Sequence, residues 1–467
     1  MAVPWRRLSV GPGCCSRALA VLVLLLDRAS AFGGLVHEVP TSLGLYGSSS
    51  PWPEDGAAKR VCGSSWQDAY AALHAKLVAE PSPRLLVFDA FANGGLADRL
   101  TGLMTVLVLA ILTDRALAID WPSFDAALRT PRIDTAAALK LAQAGSTLTN
   151  ETRQIRWINS NRLNLREQVD TDLDELWSER VVVIQSNRGF TQGLLTSAQH
   201  AASAAARHLS PTNAQYGCLV NFLLRPTEGT LARLQPLHDA LVSAHASEAV
   251  TIGVHVRTGD ASFTPQINTG AAARSARELY ATHAFIFEHA VELAKKMLEA
   301  RMRLRAERRA LSRGDGRELA ALTLDDKELA SEVARRARYV ILGDSPALRQ
   351  YAAKHLGEHS ALYWGNISGS EMVSVGHVAR QPKDVVALQA AVAEHWLYAG
   401  CDAFVFSSHS GYPRTAAARA LRDDTIHTCF HYSGPLFNSP GQQRSTAREC
   451  TGPWTVAQIG DRHAAGL

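Results

Sequence analysis

Three apolar runs in this chain end in short polar clusters whose residue types could bind or stabilise negative charge. The first cluster is His255-Val256-Arg257-Thr258-Gly259-Asp260, at the end of the run Ala249 to Val256. A guanidinium at the tip of a strand can grip a phosphate through two parallel N–H bonds, and it stays charged at every working pH. If that phosphate is a leaving group, negative charge grows on it as the bond breaks. A fixed cation then binds the transition state more strongly than the ground state. The bland alternative is a strand-end ion pair between Arg257 and Asp260.

The second cluster, Phe91-Ala92-Asn93-Gly94-Gly95-Leu96-Ala97-Asp98-Arg99, is a glycine loop leading into a helix. Glycines let the backbone approach a phosphate or sugar, and helix N-terminal amides favour anions. A simple tight turn would use the same residues. The third, Phe406-Ser407-Ser408-His409-Ser410-Gly411-Tyr412-Pro413, again follows an apolar run. Its hydroxyls could donate to phosphate oxygens, and Pro413 suits the first turn of a helix. Serines at a strand end are also ordinary helix caps.

Positioning these clusters requires strands that end together. Short apolar runs predict strands at Arg84 to Asp89, Ala116 to Asp120, Arg180 to Gln185, Ala249 to Val256, Ala337 to Leu342, Ala361 to Trp364 and Asp402 to Phe406. Helical patterns separate them. Leu100 to Leu112 is apolar all round, as a buried helix would be, and Tyr280 to Ala310 reads as one long helix, strongly basic from Arg301 to Arg309. That basic stretch reads as solvated surface. Strand-helix-strand order implies parallel sheets, and ligands of such sheets bind beyond the carboxyl ends of the strands. The expectation is an α/β chain with two Rossmann-like domains, 61–246 and 247–440, followed by a tail, 441–467.

At 467 residues, with 46% apolar and 20% charged residues, the chain has the composition of an enzyme-sized globular protein. The formal charge of +4 comes without a segregated basic block, so nucleic acid is not an expected partner. Arg6, Arg7 and Arg17 precede the apolar run Ala18 to Leu26 and then Ala29-Ser30-Ala31, which is a signal-peptide pattern over 1–31 or else a short retained anchor. Membrane contact is expected only if this segment is retained. Residues 32–60 are rich in Gly, Ser and Pro and read as a stem. Cys62, Cys218, Cys401, Cys429 and Cys450 would remain after cleavage. They form no C-x-x-C pair, so one or two structural disulfides in an oxidising lumen of the endoplasmic reticulum or Golgi are expected. Asn150-Glu151-Thr152 and Asn366-Ile367-Ser368 match the N-glycosylation pattern.

Taken in order, these segments resemble the fucosyltransferase superfamily that includes the α1,2-, α1,6- and protein O-fucosyltransferases. Shared features are an early glycine loop similar to G-G-L-G-N-R-L, an H-x-R-x-G-D-like segment, a strand ending in an Asp-containing turn (Val340 to Leu348 here) and a late S-S segment before a helix. The resemblance implies a GT-B fold, GDP-fucose as donor, a glycan or protein hydroxyl as acceptor, inversion at the anomeric carbon, and neither metal nor other cofactor. It assigns Arg257 to the diphosphate, His255 to the donor site, Ser408 to the β-phosphate and His409 to a place beside the reacting sugar. Asn93, Gly94, Gly95, Asp344 and Ser407 complete the implied donor site. Asp98 and Ala97 depart from the family's Asn and Gly.

Some family members carry a glutamate several residues beyond the arginine, but Ser262 to Gln266 holds none. Asp260 is therefore the candidate general base, its alternative role being to hold Arg257 and the Gly259 turn. Asp170-Thr171-Asp172 and Asp172-Leu173-Asp174 match a metal-binding D-x-D pattern, yet they precede a strand where a metal site should follow one. They read as the acidic first turn of a short helix. Two rival readings are a transferase of the same fold using another nucleotide sugar and a non-catalytic lectin-like or chaperone descendant.

Overall fold

Residues 60–90, 94–145, 151–158, 170–209, 215–258, 276–313, 326–357, 360–363, 384–407, 410–421, 426–433 and 446–449 are described by a computed structural model. All fall within one unit, Ser42–Leu467. Helix α1 (Ser65–Val78) precedes β1 (Leu85–Asp89), and α2 (Leu96–Leu112) returns the chain to β2 (Ala116–Asp120). A single turn, Phe124–Ala127, then leads to β3 (Leu128–Arg129), α3 (Thr135–Gly145), β4 (Thr152–Trp157) and β5 (Val181–Ser186). Strands β2, β1, β5 and β4 lie in that order as a fully parallel sheet.

Helix α4 (Gln215–Leu223) is followed by β6 (Arg225–Pro226), which pairs antiparallel with β3, and by α5 (Glu228–Ala246). The second sheet is built from β7 (Val250–Val256), α6 (Ala276–Arg313), α7 (Asp326–Arg336), β8 (Ala337–Gly343), α8 (Pro346–Leu356) and β9 (Ala361–Leu362). It is completed by α9 (Val385–Tyr398), β10 (Ala403–Ser407), α10 (Gly411–Ala418), β11 (Ile426–Ser433) and β12 (Thr446–Glu449). Its order is β12-β11-β10-β7-β8-β9, parallel except for β12. These are the two parallel, helix-flanked sheets that the alternating pattern implies. Helix α5, which ends where the expected boundary between domains falls, packs on α9 and β7 of the second sheet.

Helix α2 explains why its sequence carries no polar stripe. Every residue from Arg99 to Leu112 is buried, and one continuous apolar cluster runs from Phe88 and Ile184 of the first sheet through α2 to Phe404 and Phe406 of the second. The helix can cross so closely only because residue 102 is glycine: a Cβ there would stand 1.9 Å from the Ser186 carbonyl oxygen. Helices α2 and α10 touch, and the buried Tyr216 of α4 lies against Thr101 of α2 and Thr415 of α10. Thr101 is the sixth residue of α2 and Thr415 the fifth of the eight in α10, so Tyr216 joins the two helices that start from the carboxyl edges of the sheets.

Each sheet is secured at the opposite, amino edge by a buried charge spent on backbone. Arg115 donates to the carbonyls of Leu85 (3.4 Å), Glu179 (2.8 Å), Arg180 (3.2 Å) and Trp177. Asp402 accepts from the Thr251 amide (2.8 Å) and hydroxyl (2.9 Å) and pairs with Arg301 at 3.1 Å. Arg301 thus belongs to a structural pair rather than to a solvated basic face.

Strand β4 was not legible, because TRQIRW lacks an apolar run and lies on a sheet edge, half in solvent. Asp172 caps the short helix Leu173–Leu176, accepting from Asp174 N (2.9 Å) and Glu175 N (3.4 Å), while Asp174 pairs with Arg84 at 2.7 Å. Asp172 and Asp174 are thereby a helix start, as their position before a strand suggests. Trp364, Asn150 and Asn366 lie outside the described residues.

Cys62 and Cys218 form a disulfide that ties the chain before α1 to α4, and Cys401 is a buried thiol. Cys450 lies outside the described residues. The bridge spans a sequence separation of 156 residues, so its main effect is to restrict the unfolded chain. Replacing both cysteines by serine is expected to cost about 2–5 kcal/mol. Denaturant melts of oxidised and doubly substituted protein would measure this directly, and equal midpoints would show that the bridge contributes nothing.

Candidate functional site

At the end of β7 the ladder stops, and the next two amides need other acceptors. Both find one on a flanking strand. Arg257 N donates to Ser407 Oγ on β10 at 3.2 Å, and Thr258 N donates to Asp344 Oδ1, just beyond β8, at 2.8 Å. The Thr258 hydroxyl also donates to Asp344 Oδ1, at 2.6 Å. Neighbouring parallel strands thus contribute one side chain each to hold the backbone from which the Arg257 side chain projects. Arg257 and Thr258 themselves are half-buried.

Close approach of β7 and β8 makes the arrangement possible. A Cβ on Gly343 would meet the Val256 carbonyl oxygen at 2.7 Å, so glycine is needed at this strand end. The carbonyl of Gly343 accepts from Arg349 Nε at 2.9 Å and from Nη2. Arg349 in turn forms a buried, two-pronged pair with Glu394 on α9, at 2.5 and 3.1 Å.

His255 lies one residue inside the strand end, 6% exposed, with its ring 5.8 Å from that of Tyr412. The Tyr412 hydroxyl donates to the Ala391 carbonyl at 2.6 Å, and His395 approaches the same ring edge-on at 5.3 Å. Burial, then the nearby charges of Arg257 and Arg349, push the His255 pKa down to about 3. Its imidazole is neutral at physiological pH, which leaves the guanidinium as the positive group at the strand tip. His255 Nδ1 is buried and has no hydrogen-bond partner among the described residues.

The carboxyl edge of the first sheet carries its own polar set. Asp89 and Asp120 end adjacent strands in register, and Gln185 Nε2 donates to Asp89 Oδ2 at 2.5 Å. Partial burial and the charge of Asp89 raise the Asp120 carboxyl above its usual range. Gly94 and Gly95 precede α2, where the Gly95 amide donates to Asp98 Oδ2 at 3.4 Å. That contact gives the departure from the family pattern at position 98 a local role, a carboxylate at a helix start.

Of the residues expected in the site, Arg257, His255, Asp344 and Ser407 come together on the second sheet, and Gly94 and Gly95 stand at the start of α2 on the first. Asn93, Asp260, Ser408 and His409 lie outside the described residues. Residues not anticipated are Thr258 as a partner of Asp344, Arg349 and Glu394 beneath the strand end, and Tyr412 against His255. A signal for one existed: Glu394 is the sole acidic residue in the largely apolar helix VVALQAAVAEHWLY, where a carboxylate must be buried or misplaced.

No protein-family profile matches the chain, and no characterised protein matches it in sequence. Its structure is similar to that of a mutant of Arabidopsis thaliana FUT1 in complex with GDP, at 14% identity, covering 84% of this chain and 80% of that one, with a TM-score of 0.43. It is similar to NodZ α-1,6-fucosyltransferase soaked with GDP-fucose, at 14% identity over 79% of this chain and 100% of that one, with a TM-score of 0.38. Fucosyltransferase NodZ from Bradyrhizobium gives 14% identity, coverage of 79% and 99%, and a TM-score of 0.39.

The neutral His255 has a consequence for acid stability. Its folded pKa, about 3, lies below its ordinary value of 6.5, so the unfolded chain takes the proton more readily. Stability from this group is fully present above pH 6.5 and is lost as pH falls from there toward 3. By pH 5 the loss should reach about 2 kcal/mol. His255→Gln should flatten the slope of unfolding free energy between pH 7 and pH 5; an unchanged slope would show that the ring is not held neutral.

Proposed function

We propose that this chain is an inverting glycosyltransferase that moves fucose from GDP-fucose to a hydroxyl of a glycan or protein. The observation that carries the reading is the mounting of Arg257: a cation at the carboxyl edge of a parallel sheet, its backbone held by side chains from both flanking strands. This is where a parallel α/β sheet binds ligands. The four sequence motifs, in the order in which the fucosyltransferase superfamily carries them, select the donor among anionic ligands.

In this mechanism the bond between the fucose anomeric carbon and the β-phosphate oxygen breaks, and its electron pair stays on the diphosphate. Arg257 neutralises the charge that grows there. The acceptor oxygen bonds to the anomeric carbon from the opposite face, and its proton passes to a carboxylate, for which Asp260 is our candidate. The Ser407 hydroxyl accepts from the Arg257 amide, so its own proton can be given to a phosphate oxygen, with Ser408 assisting. Thr258 cannot serve in this way, because its proton is committed to Asp344. His255 Nδ1 is left for a donor-substrate group, and His409 is assigned to the fucose side.

The glycine loop at Asn93 to Gly95 is assigned to the donor as well, from the first sheet. The reading requires no metal, since the guanidinium supplies the positive charge, and transfer should persist in EDTA. We place the protein in the lumen of the endoplasmic reticulum or Golgi. The leader pattern supports this, and so does a disulfide, which such a compartment maintains.

Incubation of the purified chain with a panel of nucleotide sugars in EDTA is expected to release nucleoside diphosphate from GDP-fucose alone. Release from a different donor would transfer the reading to that sugar. Arg257→Ala should lower the single-turnover rate on the order of 100-fold, and Arg257→Lys should recover only part of it, because an ammonium cannot grip two oxygens at once. Full rate in Arg257→Ala would remove the assigned role.

A further inference from the structure

Beneath the strand end lies a charged pair that the reaction itself does not use. The side chains of Arg349 and Glu394 are 4% and 2% exposed. Taking two ions out of water is costly, and replacing such a pair by apolar residues of similar volume often leaves a protein equally or more stable. Around Glu394, Val392, Ala393, Trp396 and Leu397 of α9 are all buried, with His395 the one polar neighbour among them, so a leucine at 394 would suit most of its surroundings. Stability alone therefore gives a weak account of this pair.

The contacts of the guanidinium give a better one. While Nη1 and Nη2 meet Glu394, Nε and Nη2 converge on the carbonyl oxygen of Gly343. Gly343 is the last residue of β8 and has no room for a side chain beside Val256. The peptide that begins with this carbonyl leads directly into Asp344, whose carboxylate takes both the amide and the hydroxyl proton of Thr258. Thr258 is bonded to Arg257. A line of direct contacts thus runs from Glu394 through Arg349, Gly343, Asp344 and Thr258 to the cation at the strand tip. Glu394 fixes the plane of the Arg349 guanidinium, and the guanidinium fixes the direction of the Gly343 carbonyl. That direction sets where the Asp344 carboxylate stands.

We propose that Arg349 and Glu394 are positioning residues for the donor site: the pair orients the Gly343–Asp344 peptide so that Asp344 locks Thr258 and aims Arg257 at the diphosphate. The inference rests on the reading of Arg257 as the diphosphate-binding group. Its distinguishing property is that positioning and stability separate. Removing both charges together leaves no buried ion unpaired, so the fold is kept while the carbonyl loses its guide.

The test compares the full chain with the double variant R349M/E394L and with R349K, which keeps a cation for Glu394 but has no planar fork for Gly343. Three quantities are read: the thermal melt, the affinity for GDP, and kcat and KM with GDP-fucose. The double variant should melt at or above the wild-type temperature yet bind GDP about 10-fold more weakly or worse, with KM raised and kcat lowered, as expected when a binding group is misplaced rather than removed. R349K should fall between the two. Wild-type GDP affinity in either folded variant would overturn the proposal, and R349K decides the matter if the double variant does not fold. R257A provides the separate control. If it binds GDP as tightly as wild type, the reading of Arg257 fails and the positioning role falls with it; if R257A loses GDP while both pair variants retain it, only the positioning role fails.

Discussion

The carboxyl edge of the second sheet depends on what happens to two backbone amides when a parallel strand runs out. Past Val256 the amides of Arg257 and Thr258 have no ladder partner, and an unpaired amide in a half-buried place costs free energy comparable to a lost hydrogen bond. Ser407 and Asp344 supply the missing acceptors from the strands on either side. Because both acceptors are side chains on strands already in register with β7, the direction of the chain at Arg257 is set by the sheet rather than by a loop. A long, flexible side chain is thereby mounted on a rigid base, which makes its charge useful at one place.

The distribution of buried charge over the two sheets follows the same logic. Arg115 and Asp402 are spent at the amino edges, on backbone and on one another's kind, and hold strand starts together. Arg349 and Glu394 sit behind a carboxyl edge and act on a strand end. Around them the titratable groups are driven toward neutrality: His255 by burial and two guanidiniums, His395 by burial and Arg419. The result is a site in which positive charge resides on arginine and the imidazoles offer hydrogen bonds only.

Coupling between the two sheets runs through α2. A helix that is buried on all faces cannot shift without opening the continuous core it belongs to, and its contact with α10 joins the glycine loop of the first sheet to the helix that follows the serine cluster of the second. The disulfide from Cys62 to Cys218 and the packing of Tyr216 against Thr101 and Thr415 reinforce that joint from α4. Segments separated by more than three hundred residues are thus held near one another by side chains with no role in chemistry.

Much of this was legible in the residues. Apolar runs of strand length, separated by helical patterns, locate seven strands and imply parallel sheets, because burial on both faces demands such composition. The polar residues that close three of those runs mark the carboxyl edges. Strand β4 escaped, since a strand half in solvent needs no apolar run. The sequence by itself therefore determined the α/β layering, the cation at the end of β7 and the helix start at Asp172 and Asp174, all of which depend on local composition and order. Only the tertiary structure decided which distant residues serve that cation. That Asp344 holds Thr258, that Ser407 holds Arg257, and that Arg349 and Glu394 stand behind them depends on strand order and on close approach at Gly343, and strand order is a property of the packed sheet rather than of any window along the chain.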